Sequence, residues 1–401
     1  MELRVSAPAR RDTTSPIARV VRHRLRHPTA YAAGVTGTVA LDSGPDESWT
    51  IHIRRGEATL EPGHARGATA VVSADPETLH AVMDGHISGL DAFLTQKLGV
   101  RGHVGLALKL DLFFPTGPRP ARAFRPGVRL VDGIETFFLE AGEPDAPPVI
   151  LLHGLGATNV SMATLIPELA KTHRVIAPDL PGFGETGKPL RPLHAAYFSR
   201  WLVSFLDVLG LPKASVIGNS MGGRIALELG MRAPTRTDRL VLLAPSMAWK
   251  SFRQFVPLAR LLRPEMAAVP ILVPRMQVLT TLRALFAKPE RLVPTWLDAA
   301  ADEFLHVFGT PRGRISFFHA ARQIYLEESH GERGFWERLS RLEAPSMFVW
   351  GEKDWLVPPA FARHTADAVP HSTSVTIDDC GHVPQYEMPD RVNELVRLFL
   401  A

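Results

Sequence analysis

At 401 residues the chain is long for one core and suits two domains. Its 45% hydrophobic and 21% charged residues exclude a disordered chain, and its single cysteine, Cys380, excludes an intrachain disulfide framework. The formal net charge is only +4, and no aromatic-rich basic stripe or zinc-ligand spacing accompanies it, which argues against nucleic acid as a partner and against a bound metal.

The chain begins Met-Glu-Leu-Arg, without the apolar run of a secretory signal, and its basic excess gathers at Arg10, Arg11, Arg19, Arg22, Arg24 and Arg26. Such a cluster suits a solvated helix face, with peripheral contact to acidic lipid as the alternative. The most apolar later stretch, Met266 to Ala287, is interrupted by Pro270, Pro274, Arg275 and Arg283, so it does not suit a membrane span. A cytoplasmic protein is expected.

The first regular elements follow this basic segment. Trp49, Ile51 and Ile53 alternate with Thr50, His52 and Arg54 as in a half-buried strand, and Arg55-Gly56 turns into Ala58-Thr59-Leu60 to make a hairpin. A third strand spans Ala68 to Ser73. Asp75 then caps a helix with Pro76 in its first position and Leu79, Val82 and Met83 on one face. Gly105 to Phe114 is leucine-rich and nearly uncharged, so residues 1–114 read as a small α+β domain. Its phrases Trp49-Thr-Ile-His-Ile-Arg-Arg-Gly56, Ser73-Ala-Asp-Pro-Glu-Thr-Leu79, Met83-Asp-Gly85 and Val100-Arg-Gly102 resemble the sterol carrier protein type 2 family. That resemblance implies a lipid-binding fold with an apolar tunnel. The chain departs from the family at Ala68-Thr69, where an acidic residue is common. An accessory or dimerisation domain without a tunnel is the other reading.

Residues 115–127 carry Pro115, Pro118, Pro120 and Pro126 and read as an extended linker. Beyond it the pattern changes. A hairpin (Val128–Val131 with Thr136–Glu140) leads to short apolar runs at 149–152, 175–177, 215–217, 240–243, 347–350 and 374–377, several of them separated by helical patterns. The best helix lies at Tyr197–Leu209, stopped by Gly210. Strands alternating with helices predict a mainly parallel sheet covered on both faces, with its chemistry at the carboxyl ends of the strands.

The run ending at Ile217 passes into Gly218-Asn-Ser-Met-Gly-Gly223 and then a helix, which is the Gly-x-Ser-x-Gly nucleophile elbow. Small residues are needed there because the serine sits on a sharp strand-to-helix turn where neighbouring chains approach closely. A serine nucleophile needs a base, and the base needs an orienting acid. His382 follows the last strand on the loop Asp378-Asp-Cys-Gly-His382, and Asp354 follows the preceding one in Gly351-Glu-Lys-Asp354. Asp378 and Asp379 are rival acids, but they precede His382 too closely to reach under its ring. Backbone N–H groups of Leu155 and Met221 are expected to form the oxyanion hole, with His153 bracing the Leu155 loop.

These residues resemble the α/β-hydrolase superfamily over 128–401. The resemblance implies an α/β-hydrolase fold with a helical cap at about 246–342, a structural turn at Asp179-Leu-Pro-Gly-Phe-Gly184, and no cofactor or metal. Ser220 separates the chain from the haloalkane dehalogenases and epoxide hydrolases, which carry an aspartate nucleophile. Three helical stretches, 276–287, 296–308 and 315–326, fall within the cap. Gly154, Met276, Phe286, Phe304 and Phe308 are expected to line the substrate site. The implied activity is hydrolysis of a hydrophobic, lipid-like carboxylic ester through an acyl-enzyme. Two alternatives stay open. One is a carbon–carbon bond hydrolase of the meta-cleavage product type, whose elbow is similar to Gly218–Gly223 but whose glycine- and proline-rich loop matches His153–Asn159 only loosely. The other is a lipid-binding protein with an inert hydrolase scaffold.

Overall fold

The computed structural model describes residues 15–25, 35–44, 47–54, 57–113, 124–248, 263–269, 271–332 and 334–401. The turn expected at Arg55-Gly56, most of the proline-rich linker, Arg10, Arg11 and Arg26 of the basic cluster, and the first part of the cap lie outside these residues. The chain divides into two compact units, Met1–Arg119 and Pro120–Ala401. None of the described helices is long and apolar enough to cross a membrane.

The first unit is a five-stranded sheet in the order β3-β2-β1-β4-β5. Its strands are β1 (Gly37–Asp42), β2 (Ser48–Arg54), β3 (Glu57–Pro62), β4 (Ala70–Ala74) and β5 (Leu98–Gly102). β2 and β3 pair antiparallel as expected for the hairpin, whereas β1 joins β4 in parallel. The period-two pattern of β2 places Trp49, Ile51 and Ile53 in the core beside Val39, Leu41 and Val72. Asp75 caps the helix Pro76–Met83 by accepting from the Thr78 amide at 2.8 Å, and Leu79, Val82 and Met83 are buried along with Thr78. The helix Pro16–Leu25 carries Arg19, Arg22 and Arg24, and it buries Ile17, Ala18 and Val21. Its Arg22 guanidinium lies 5.6 Å from the centre of the Trp49 ring.

The second unit is built on eight strands in the order β13-β12-β11-β10-β8-β9-β7-β6. The hairpin β6 (Arg125–Val131) and β7 (Ile134–Ala141) forms the antiparallel edge. Then come β8 (Pro148–Leu152), β9 (Arg174–Pro178), β10 (Ala214–Asn219), β11 (Thr237–Leu243), β12 (Ser346–Gly351) and β13 (Thr373–Ile377), all parallel. Their continuous apolar runs follow from burial on both faces: every residue of β10 and β12 is buried. The helix Ala195–Val208 supplies much of one layer, with Trp201 stacked on Phe205 at 5.4 Å. Successive strands leave β8 toward opposite edges, since β8 lies between β9 and β10. The crevice at such a switch point, beyond the strand ends, is where ligands bind in open α/β sheets. Between β11 and β12 the cap contributes the helices Arg275–Ala284, Pro294–Gly309 and Pro311–Leu326.

Candidate active site

Ser220 follows β10 with φ 53° and ψ −114°, a strained conformation for a residue with a side chain, and the helix Met221–Arg232 starts immediately after it. The turn closes only because its neighbours are glycines. A Cβ on Gly218 would strike the backbone of Gly222, and one on Gly222 would strike the Leu152 carbonyl. The elbow therefore sets the serine where β10 and β8 end side by side.

His382 and Asp354 meet on the loops that follow β13 and β12. The Asp354 Oδ2 lies 2.8 Å from His382 Nδ1, and its Oδ1 accepts from the amides of Leu356 and Val357, both at 2.9 Å. Both side chains are buried, so the carboxylate is held by three donors and aims the ring. Asp378 is exposed, and the Asp379 carboxylate pairs with Lys288 at the surface, so neither rival acid reaches the ring. Cys380, two residues before the histidine, is buried, and burial pushes its thiol up to about 12, which keeps it inert.

Asn219 joins the two halves of this arrangement. Its Nδ2 donates to the His382 carbonyl at 3.1 Å and to the Leu243 carbonyl at 3.0 Å, tying the elbow to the histidine loop. Ser220 Oγ lies 3.4 Å from Ser246 Oγ, just beyond β11. The sequence reading did not single out either residue. The signal for Ser246 was available, a polar side chain at the carboxyl end of a parallel strand. Asn219 was visible only as part of the motif.

The loop after β8 passes close to the elbow at Gly154. An ideal Cβ on Gly154 would lie 3.4 Å from the Ser220 Cβ, an ordinary contact distance that sets this loop against the elbow. His153 is fully buried: its Nε2 accepts from the Leu180 amide at 2.9 Å and its Nδ1 lies 2.8 Å from the Gly154 carbonyl. Those partners require a neutral ring protonated at Nδ1, and burial lowers its pKa to about 4. Asp179 fixes the neighbouring turn by accepting from the amides of Asn159 and Glu185 at 2.7 and 2.8 Å. Burial raises its pKa to about 7.

A pocket opens beside this loop, lined by Gly156, Phe183, Glu303, Phe304, Phe308 and Phe317 among others. Phe304 and Phe308, expected at the substrate site, line this pocket, whose lining does not include Ser220 or His382. Met276 does not line it: it is 69% exposed, because the helix Arg275–Ala284 buries Val278 and Leu279 and leaves Met276 outside that stripe. Phe286 packs into the cap's own core with Val278, Leu279, Leu292 and Leu297.

The alpha/beta hydrolase fold family model matches residues 147–389, and that of the SCP-2 sterol transfer family matches residues 23–114. The chain is 30% identical over 292 residues to the dihydrolipoyllysine-residue acetyltransferase component of the acetoin cleaving system of Pseudomonas putida, covering 71% of this chain and 70% of that protein. It is 31% identical over 262 residues to a 2-hydroxymuconate semialdehyde hydrolase of Pseudomonas sp. strain CF600, covering 63% and 87%. Among solved structures, the 2-hydroxy-6-oxo-6-phenylhexa-2,4-dienoate hydrolase of Rhodococcus sp. strain RHA1 superposes with a TM-score of 0.58 at 25% identity, over 69% of this chain and 98% of that one. The chain belongs to the α/β-hydrolase fold family, and a sterol-carrier-type domain precedes its hydrolase domain.

Proposed function

We propose that the chain is a serine hydrolase that cleaves carboxylic esters of hydrophobic, lipid-like substrates through an acyl-enzyme. The observation that carries this reading is the hydrogen-bonded pair of Asp354 and His382, whose loop Asn219 ties to the elbow of the strained Ser220. With Asp354 on Nδ1, the other ring nitrogen, Nε2, is the one available to the serine. It takes the Oγ proton as Oγ bonds to the ester carbonyl carbon, and the carbonyl electron pair moves onto oxygen. The amides of Leu155 and Met221 stabilise that oxyanion. Collapse expels the alkoxide, which takes the proton back from the imidazolium, and water repeats the cycle to release the acid.

The pocket supports an uncharged acyl group. Its described lining is rich in phenylalanine and contains no cation, while Glu303 contributes a buried carboxyl. The nearby buried guanidiniums are engaged elsewhere. Arg224 pairs with Glu228 and Glu327, and Arg314 donates to the carbonyls of Ala267, Phe308 and Gly309. A dienoate, by contrast, brings a carboxylate, and this described lining offers it no cation. The second reading, carbon–carbon bond hydrolysis, is favoured by the relatives whose names carry it.

Turnover of p-nitrophenyl esters from acetyl to palmitoyl decides between them when run beside a 2-hydroxy-6-oxo-dienoate. The ester reading expects the dienoate to be inert. It also expects ester turnover to favour longer acyl chains and to fall by about 10³-fold or more in Ser220→Ala. Serine-dependent cleavage of the dienoate alone would move the assignment to carbon–carbon chemistry.

A further inference from the structure

Glu387 lies five residues beyond His382, in the short helix Pro384–Glu387, and is 3% exposed. A carboxylate so buried needs donors, and the three closest on it are main-chain amides, one from the histidine loop just before it and two from the cap. Its Oε2 accepts from Gly381, the residue before the histidine, at 2.7 Å. In the cap, Ala287 donates to the same oxygen at 3.2 Å and Lys288 donates to Oε1 at 2.6 Å.

Further bonds run between the same segments. The His382 amide donates to the Leu285 carbonyl at 2.7 Å, and Trp355, which follows Asp354, donates through Nε1 to the Ala284 carbonyl. The backbones touch as well: a Cβ on Gly381 would strike the Leu285 carbonyl oxygen and come within 2.9 Å of the Phe286 Cα. Cap residues 284–288 therefore lie directly on the loops that carry the candidate base and acid.

The opposite side of the short helix is held independently. Thr164 Oγ1 donates to the Gln385 carbonyl at 2.7 Å, and Tyr386 donates through its hydroxyl to the Val160 carbonyl at 2.6 Å. Removing the Glu387 carboxylate thus loosens the cap side of the histidine loop, where the His382–Leu285 bond and the bonds of Lys288 and Arg291 to Asp379 remain, while its body side stays anchored. The expected consequence is a small displacement of the imidazole within a folded protein.

We propose that Glu387 is a positioning residue that locks cap segment 284–288 to the His382 loop, so that the base holds its working position only while the cap is seated. The role of His382 as base rests on the function proposed above; the lock itself does not. Glu387→Gln keeps the volume but turns an NH2 group toward one of the three donors, and Glu387→Ala removes every acceptor.

The test uses the full chain with p-nitrophenyl butyrate, a fluorophosphonate probe of Ser220 and amide hydrogen exchange. The kcat is expected to fall about 10-fold in Glu387→Gln and about 100-fold in Glu387→Ala, with KM within about twofold, since a misplacement of about 1 Å costs that much. Labelling of Ser220 should slow by a similar factor and still reach full amplitude, whereas a partly unfolded sample would lose amplitude at unchanged rate. Exchange of residues 284–288 and 378–383 should accelerate together. If Glu387→Ala does not fold, Glu387→Gln decides alone. Wild-type kcat in a folded Glu387→Gln overturns the proposal, and so does faster exchange in only one of the two segments. Should Ser220→Ala hydrolyse the ester as fast as wild type, the function reading fails while the exchange data still decide the lock.

Discussion

His153 shows how one buried side chain sets both local geometry and pH response. The Leu180 amide donates to its Nε2, so protonation there would set one N–H against another. Burial holds its pKa at about 4, below the value near 6.5 of a free ring. The unfolded chain therefore binds the extra proton first as pH falls. The stability tied to this group is full above about pH 6.5 and is lost as pH falls through about 4. Its ceiling is on the order of 3 kcal/mol. Asp179, one residue before Leu180, acts with the opposite sign, because burial raises its carboxyl to about 7 and its contribution is lost as pH rises through that value. Comparing wild type with His153→Phe isolates the histidine. The variant is expected to melt lower at pH 7.5, having orphaned the Leu180 amide, and the gap between the two should narrow steadily between pH 6.5 and 4. A gap that stays constant in thermal melts across that range would show that His153 does not titrate as its surroundings dictate.

At this scale the sequence was informative wherever chemistry demands a particular residue at a strand end. Ser220, Asp354 and His382 could be named because each follows an apolar run, and His153 because it opens the loop after β8. Glu387 could not be named. Its partners are backbone amides, Gly381 six positions before it and Ala287 and Lys288 about 100 positions before it, and no side-chain pattern announces a main-chain donor.

Among the elements, the cap is tied to the helix Met221–Arg232 by a charge network centred on buried Arg224 and Glu228. Arg224, one turn after Ser220, is 3% exposed and pairs with Glu228 on its own helix and with Glu327 at the end of the cap helix Pro311–Leu326. Arg338, from the helix Phe335–Leu339, bonds to both of these glutamates, and Arg232 adds a third cation to Glu228. Although burial acts to raise its pKa, these arginines hold Glu228 at about 2. The Arg224 guanidinium also lies 4.5 Å from the centre of the Phe335 ring. Removing one member of a buried network leaves its partners uncompensated, so Arg224→Ala is expected to destabilise by about 3–5 kcal/mol. Arg224→Lys should recover only part of that, because an ammonium cannot fork across two carboxylates. Chemical denaturation followed by circular dichroism checks both, and equal stability of the lysine variant and wild type would show that charge alone suffices.

Helical periodicity located the cap's elements but not their orientation. The expected stretches 296–308 and 315–326 lie within the observed helices Pro294–Gly309 and Pro311–Leu326, since runs of one-sided apolar residues suffice for that. Which apolar residues face the pocket depends on how three helices stack. Phe304 lies against Gly156 and lines the pocket with Phe308, and it also packs with Phe286 on the cap's own core. In the first unit β1 was missed for a related reason. Gly37-Thr-Val-Ala-Leu-Asp42 is short and does not alternate, and it becomes a strand because β2 and β4 flank it on both sides.

For the molecule as a whole, the question is whether the two units handle the same kind of compound. The sterol-carrier-type domain joins a sheet to the apolar helix Val104–Phe113, and Val39, Leu41, Ile51 and Leu106 are buried between its elements. If this unit holds an alkyl chain, each buried methylene contributes about 0.8 kcal/mol, so affinity should rise about fourfold per added CH2 until the site is filled. Displacement of a fluorescent fatty acid by saturated acids of increasing length measures that slope. The measurement belongs on protein whose Ser220 has first been blocked by a fluorophosphonate, because the hydrolase pocket is also apolar. Binding that survives the block with the expected slope would place the apolar site in the first unit and make it a reservoir for an apolar substrate. Binding abolished by the block would leave the hydrolase pocket as the site for apolar chains and give the first unit another role.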